Sequence, residues 1–252
     1  GDLRFTDQGI KGKLNFHLSD VETRQFAEMW PLVEGAKTKA WALRNINSGY
    51  LKNVTGEVSI NQEENNNFYA TFVFDETSLN LPEKISPVIK ASGNGELGKN
   101  FFHINFEKGH IFSEPVSLMD VSGSSIRLLT GENENPLMNI RLNTVASVPS
   151  TLEILKDLPK DYRILESAIP KRIQGMFFAE TDILFQLEKK LSETEIIFST
   201  NAKIKSISAD DIFGNMDLRA EKLSFFANNK EVVISGELDF DGNPVTGKWS
   251  KN

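Results

Sequence analysis

The chain has 252 residues, 39% of them apolar and 25% charged, a balance that suits a folded protein with a large core and excludes a disordered one. Its net charge of −7 comes from 28 Lys+Arg against 35 Asp+Glu, and the basic residues are scattered rather than clustered, so no nucleic-acid partner is expected. Zero Cys excludes disulfides and thiolate metal sites, which suits a reducing cytosol and a bacterial envelope protein equally.

The sequence opens Gly-Asp-Leu-Arg-Phe, with no initiator Met and no charged segment ahead of an apolar one, and we expect an excised internal segment. No run reaches the ~18 to 20 apolar residues that a membrane-spanning helix requires. Leu14-Phe16-Leu18 alternates with period two, the pattern of a strand with one buried face. Ser19-x-x-Glu22 reads as a capping box before a helix carrying Phe26, Met29 and Trp30, which Pro31 closes. A second helical stretch runs near 35–43, with Trp41, and ends before Gly49. Two roles suit these helices: covering an end or edge of a sheet, or gating and docking.

Alternation then resumes. Val58-Ile60, Phe72-Phe74 and Phe102-Ile104-Phe106 read as strands, separated by turn chemistry at Asn65-Asn66-Asn67, Gly93-Asn94-Gly95 and Gly98-Lys99-Asn100. Further on, Ser150-x-x-Glu153 reads as another capping box, with Pro159 closing its helix and a further helical piece near 162–169 ending before Gly175. Ile183-Phe185-Leu187, Ile196-Phe198, Val232-Ile234 and Leu238-Phe240 complete the strands, with turns at Asn228-Asn229 and Asp241-Gly242-Asn243. The spacing predicts an antiparallel meander. Eighteen Phe against three Tyr and three Trp favour rings without a polar handle, which want a dry face.

The order of events repeats. Gly49 and Gly175 lie 126 positions apart, and at that offset Phe16 meets Leu142, Phe26 meets Leu152, Met29 meets Leu155, Leu43 meets Ile169, Leu51 meets Phe177, Val58 meets Leu184 and Phe72 meets Phe198. Two similar β-rich halves, residues 1–126 and 127–252, each with a helical insert, are expected to form one continuous unit. The capping boxes disagree with this offset, since Ser19 and Ser150 are 131 apart. Either five residues are inserted near Val145 to Pro149, or the helices keep the register of Phe26 and Leu152.

Little in the sequence points to catalysis. His17 and His103 alternate with apolar neighbours and belong on a polar face, and His103-x6-His110 lacks a third ligand at a metal-binding spacing. There is no Gly-x-Ser-x-Gly, P-loop or His-Glu-x-x-His. Asp210-Asp211 and Asp239-x-Asp241 have the composition of an acid–base pair but sit in turn-like surroundings. Asp239 to Asn243 resembles the start of a calcium loop without its later Glu. Asn53-Val-Thr55 matches a glycosylation acceptor, a pattern frequent by chance. We expect no enzyme, cofactor or metal.

Trp30-Pro31, Ala40-Trp41-Ala42-Leu43-Arg44-Asn45-Ile46-Asn47-Ser48-Gly49, Val88-Ile89-Lys90-Ala91-Ser92-Gly93 and the closing Gly236-Glu-Leu-Asp-Phe-Asp-Gly242-Asn-Pro244 resemble recurring phrases of the AsmA-like family of bacterial envelope proteins, in the branch around YhdP and more distantly TamB. The order of these short motifs spans nearly the whole chain. The resemblance implies a mainly β fold, a long curved antiparallel sheet forming an open trough, with a few short helices. It implies a periplasmic location, a tether to the inner membrane outside this sequence, and phospholipid acyl chains sliding along the trough toward the outer membrane. Flanking segments of the same polypeptide and envelope proteins are the implied partners. The groove candidates are the bulkiest alternating residues: Phe72, Phe74, Phe102, Ile104, Phe106, Ile183, Phe185, Phe198 and Ile234. Two rivals stay open. Alternation suits equally a closed β-sandwich or barrel, serving as an envelope scaffold or outer-membrane assembly factor. A sugar-binding platform would need stacked Trp and Tyr, whereas Tyr50, Tyr69 and Trp249 are scattered.

Overall fold

The structure is a computed structural model that describes residues 2–6, 9–29, 36–61, 67–80, 87–113, 117–129, 135–156, 172–187, 196–210 and 216–251. The fold is mainly β, with three short helices among the described residues on one long antiparallel sheet. The strands are β1 (Asp2–Thr6), β2 (Gly9–Glu22), β3 (Ile46–Asn61), β4 (Asn67–Leu79), β5 (Val88–Gly98), β6 (Phe101–Ser113), β7 (Ser117–Asp120), β8 (Ser125–Leu129), β9 (Leu137–Ser147), β10 (Ile173–Gln186), β11 (Ile197–Ala209), β12 (Leu218–Asn228), β13 (Val232–Phe240) and β14 (Asn243–Lys251). They pair in chain order, as a meander should, except that β7 and β8 share one position between β6 and β9. The division after residue 126 falls inside β8, and the sheet runs on across it.

Between β7 and β8 the chain makes a polar turn. Asp120 Oδ1 accepts from the Ser122 backbone N–H at 2.8 Å and from its hydroxyl at 2.5 Å, and Gly123 takes a positive φ of 79°. The ladder to β6 continues through it, with Gly123 N–H donating to Phe106 O at 2.7 Å.

The helices are α1 (Thr23–Met29), α2 (Ala36–Asn45) and α3 (Val148–Lys156). Both capping-box readings are wrong. Ser19 and Glu22 belong to β2, which runs straight into α1, and Ser150 lies in the first turn of α3. The true cap of α3 is Ser147, whose Oγ accepts from the Ser150 backbone N–H at 3.1 Å. The helices therefore start at Thr23 and Val148, 125 positions apart and one short of the offset between Gly49 and Gly175, so no five-residue insertion separates strand from helix. Trp30, Pro31, Pro159 and the piece near 162–169 lie outside the described residues, as do Asn65 and Asn66.

Gly93-Asn94-Gly95 is not a turn but the middle of β5. A Cβ on Gly93 would meet the Asn105 carbonyl oxygen of β6 at 1.9 Å and the Phe74 ring at 2.8 Å, and one on Gly95 the Phe72 ring at 2.4 Å, so Gly95 makes room for a Phe ring of β4 and Gly93 for the close approach of the β6 backbone as well as a ring. Gly98-Lys99-Asn100 and Asp241-Gly242 are true hairpin turns. Asp241 (φ 52°) and Gly242 (φ 87°) are both left-handed, as a two-residue primed turn requires.

The marker glycines share a conformation. Gly49 in β3 has φ 127° and Gly175 in β10 has φ 138°, each where the pairing register slips. From Gly49 the irregularity continues through Glu76 in β4 and Lys90 in β5, both left-handed. From Gly175 it continues through left-handed Ser206 in β11 and the slip in β12 opposite Gly236. Bulges aligned across neighbouring strands bend them together, so each half of the sheet carries a crease.

Candidate functional site

Register places the inward side chains in rows that cross the strands, on the face that carries the helices. One row reads Phe72, Gly95, Ile104, Ile126, Ile140, Ile183, Phe198, from β4 to β11. Beside it runs Gly56, Ala70, Leu97, Phe102, Leu128, Met138, Phe185. Six of the nine predicted groove residues stand in these two rows, and Phe74 and Phe106 flank them in contact, ring centroids 5.7 Å apart. Ile234 stands further along, in the row Thr144, Ala179, Ala202, Phe225, Ile234, Trp249.

The two halves of this face differ in cover. Phe72, Phe74, Phe102, Ile104, Phe106 and Phe185 are all buried. Helix α1 seats Phe26 against Phe72 at 6.5 Å between centroids, and α2 seats Trp41 against Phe102 at 5.9 Å. Beneath the helices remains an apolar void of about 40 Å³, lined by Thr23, Phe26, Phe72, Phe74, Phe102 and Phe106 among others. That is room for a water or two, not for an acyl chain. The expectation of an open trough is corrected here: over β3 to β6 the predicted lining is the packed core beneath α1 and α2.

From β10 onward the face opens. Ile183, Phe198 and Ile234 are half-buried, as are Phe177, Ile204, Phe225 and Leu238, while Val245 is 46% and Trp249 44% exposed. Thr181, Thr200 and Ala227, in the middle of the row Leu142, Thr181, Thr200, Ala227, Val232, Lys251, together with Ala179 and Ala202 of the next row, form a floor of small side chains. Ile183 and Phe198 border it on one side. Phe177 and Phe225, in edge-to-face contact at 6.0 Å, border it on the other. Polar side chains in these rows are few: Thr144, Thr181, Thr200 and Lys251. Thr181 and Thr200 satisfy each other at 3.0 Å. The arrangement is a shallow apolar furrow running across the strands. The sequence signal of this floor is the small residues at alternate positions, Ala179 and Thr181 between Phe177 and Ile183, and Thr200 and Ala202 between Phe198 and Ile204, whereas a search for bulky side chains passes over them.

The ion pairs between strands lie on the opposite face. Lys52 and Asp75 pair at 2.7 Å, and this hydrogen bond raises the Lys52 ammonium and lowers the Asp75 carboxyl from their ordinary values. Lys13 pairs with Glu57, and Arg141 with Asp182 at 3.1 Å. His103 meets Glu96 at 3.3 Å and His17 is exposed. Asp239 and Asp241 serve the last turns as acceptors, from Gly242 at 2.8 Å and from Asp217 at 3.1 Å. Among the described residues no His, Asp and Glu group is arranged to hold a metal ion, and no helix is long and apolar enough to cross a membrane. No protein-family model, curated protein or solved structure matches the chain.

Proposed function

We propose that this chain is a segment of a bridge-like, non-enzymatic lipid carrier of the bacterial envelope, and that it holds phospholipid acyl chains in the furrow over β10 to β14. The supporting observation is the unequal cover of one continuous apolar face, sealed by helices at Phe72 and Phe102 and half-exposed at Phe198, Phe225 and Ile234. A half-exposed apolar band of this kind supports a binding surface. Each methylene that leaves water contributes about 0.8 kcal/mol. A chain displaced along a uniform strip exchanges equal contacts, so tight holding and easy sliding are compatible. The same reading places the segment in the periplasm, with an inner-membrane tether and envelope partners supplied by other parts of its polypeptide or by other proteins.

The sealed half favours a second role for β3 to β6, that of a scaffold whose core is filled by its own helices. Photo-crosslinking tests the two together. A photoreactive side chain at Phe198, Phe225 or Ile234 should capture acyl chains in cells, whereas the buried positions Phe102 and Ile104 and the opposite-face positions Ser224 and Ser235 should not. Equal capture at Ser224 and Phe225, or none at any position, would leave only the scaffold.

A further inference from the structure

On the face opposite the helices, the crease of the second half holds a hollow of about 590 Å³ that crosses β11 to β14. From Arg219 to Leu223 β12 advances four residues, while β13 runs only three, from Asp239 to Gly236. The extra residue is a bulge. It brings Arg219 and Lys222 to one face, although residues three apart in a regular strand point to opposite faces. Ser206 and Glu221, which the ladder between β11 and β12 skips, lie at the same level. Ile207, Ala220 and Leu238 pack in one cluster with Ile234 on the furrow face, so they give the hollow a backbone floor. Its walls are polar: Arg219 and Lys222, Glu221 and Glu237, and the hydroxyls of Ser206 and Ser208.

These charges do not neutralise one another. Elsewhere on this face opposite charges on neighbouring strands close, Lys52 on Asp75 at 2.7 Å and Arg141 on Asp182 at 3.1 Å. Arg219 stands directly opposite Asp239, yet Asp239 Oδ1 accepts from the Gly242 backbone N–H at 2.8 Å and the pair stays open. Lys222 stands opposite Lys205, whose ammonium lies 5.1 Å from the Phe178 ring centroid, over β10 and away from β12. Among the described residues, Arg219, Lys222, Glu221 and Glu237 form no ion pair. A bare anion in this hollow would meet two carboxylates, and a bare cation would meet two cations, and like charges brought together are unfavourable. A ligand with one charge of each sign satisfies both sets.

We propose that the hollow binds a small zwitterion in which a short linker separates a phosphodiester from an ammonium group, the chemistry of glycerophosphoethanolamine. The Arg219 guanidinium offers a planar fork suited to two phosphate oxygens, with Lys222 as a second charge and the Ser206 and Ser208 hydroxyls as further donors. Glu221 and Glu237 receive the ammonium. Lys222 and Glu237 stand on neighbouring strands, about 5 Å apart at the backbone. The two ligand charges must therefore be held apart, as they are not in an amino acid, which carries both on one carbon. The volume falls within the range of small-molecule sites, about 300–1,000 Å³. The site lies across the sheet from the furrow and does not depend on what the furrow holds.

Titration calorimetry of the native chain tests this pairing of charges without any substitution. Glycerophosphoethanolamine should bind at least about tenfold more tightly than glycerol phosphate, ethanolamine or glycine, because each of these leaves one set of wall charges without a partner. Arg219→Gln and Glu237→Gln should each weaken binding by about tenfold, with circular dichroism showing that the strands persist. Lys248→Gln, on the same face but outside the hollow, should bind as the native chain does. Phosphatidylethanolamine vesicles identify the source of the ligand. Co-sedimentation that Arg219→Gln abolishes assigns a membrane headgroup, and binding of the free compound alone assigns a soluble molecule. No binding of glycerophosphoethanolamine up to millimolar concentration, equal binding of any singly charged compound or of glycine, or native affinity in both Arg219→Gln and Glu237→Gln would each overturn the proposal.

Discussion

The Trp41 indole of α2 lies over the Phe102 ring of β6, centroids 5.9 Å apart and planes inclined by 53°. This contact, with Phe26 on Phe72, decides whether the apolar face over β4 to β6 is core or surface. Trp41 is 6% exposed, so its removal leaves a cavity the helix cannot refill. Trp41→Ala should lower stability by about 3–5 kcal/mol. Urea unfolding followed by circular dichroism checks this, and a loss below about 1 kcal/mol would mean that α2 rests on the sheet without sealing it.

Gly49 and Gly175 have matching backbones but unequal surroundings. A Cβ on Gly49 would lie 2.3 Å from Thr77 Oγ1 and 2.7 Å from Thr77 Cα, so the neighbouring strand itself must shift. On Gly175 the nearest atom is the Lys205 carbonyl oxygen, at 3.1 Å. Alanine at either position strains the backbone by about 1–3 kcal/mol. Gly49→Ala should cost distinctly more than Gly175→Ala in denaturant midpoint. Equal costs would show that conformation alone, and not the close approach of β4, requires glycine at the first crease.

How much of this was legible in advance follows from where the constraint acts. Alternation is local, so Leu14 to Leu18, Phe102 to Phe106 and Val232 to Ile234 announced their strands, and Asp241-Gly242 its turn. Long-range packing is not local. Gly93 and Gly95 read as a turn because nothing near them in sequence reveals that the Asn105 backbone of β6 and the rings of Phe74 and Phe72 fill the space beside them. Ser19 and Glu22 match a helix cap because a four-residue motif ignores the strand that contains it. A bulge also hid one face: Asn53 in β3, at φ 51°, shifts the alternation that follows, so the match of Val58 with Leu184 joins an inward residue to an outward one, and Ile183 takes the inward place instead. Which Phe residues line an open surface depended on α1 and α2, whose docking site no period in the sequence discloses.

Thr23 begins α1 with its hydroxyl buried and without a partner, facing the void beside Phe26. A buried unsatisfied hydroxyl is costly, and an isosteric methyl suits apolar walls better. Thr23→Val should therefore raise stability by about 1 kcal/mol. Thermal unfolding of the two proteins side by side decides it. A lower melting temperature for the variant would mean that water in the void serves the hydroxyl.

The turn joining β7 to β8 makes stability depend on pH through Asp120. Burial pushes its carboxyl upward, but the bonds from the Ser122 hydroxyl and N–H, with His110 opposite on β6, outweigh this and hold it below the ordinary carboxylate range. A carboxyl lowered on folding stabilises the native state fully above its unfolded value of about 3.9, and that contribution disappears as pH falls through the lower, folded value. Asp120→Ala should thus cost about 1–2 kcal/mol at neutral pH. The gap to the native chain should narrow once pH drops below about 4. Urea midpoints of both proteins from neutral to acid pH measure the gap directly. A gap that stays constant into acid would assign the whole effect to the shape of the turn, because a neutral carboxyl would then serve Ser122 as well as a charged one.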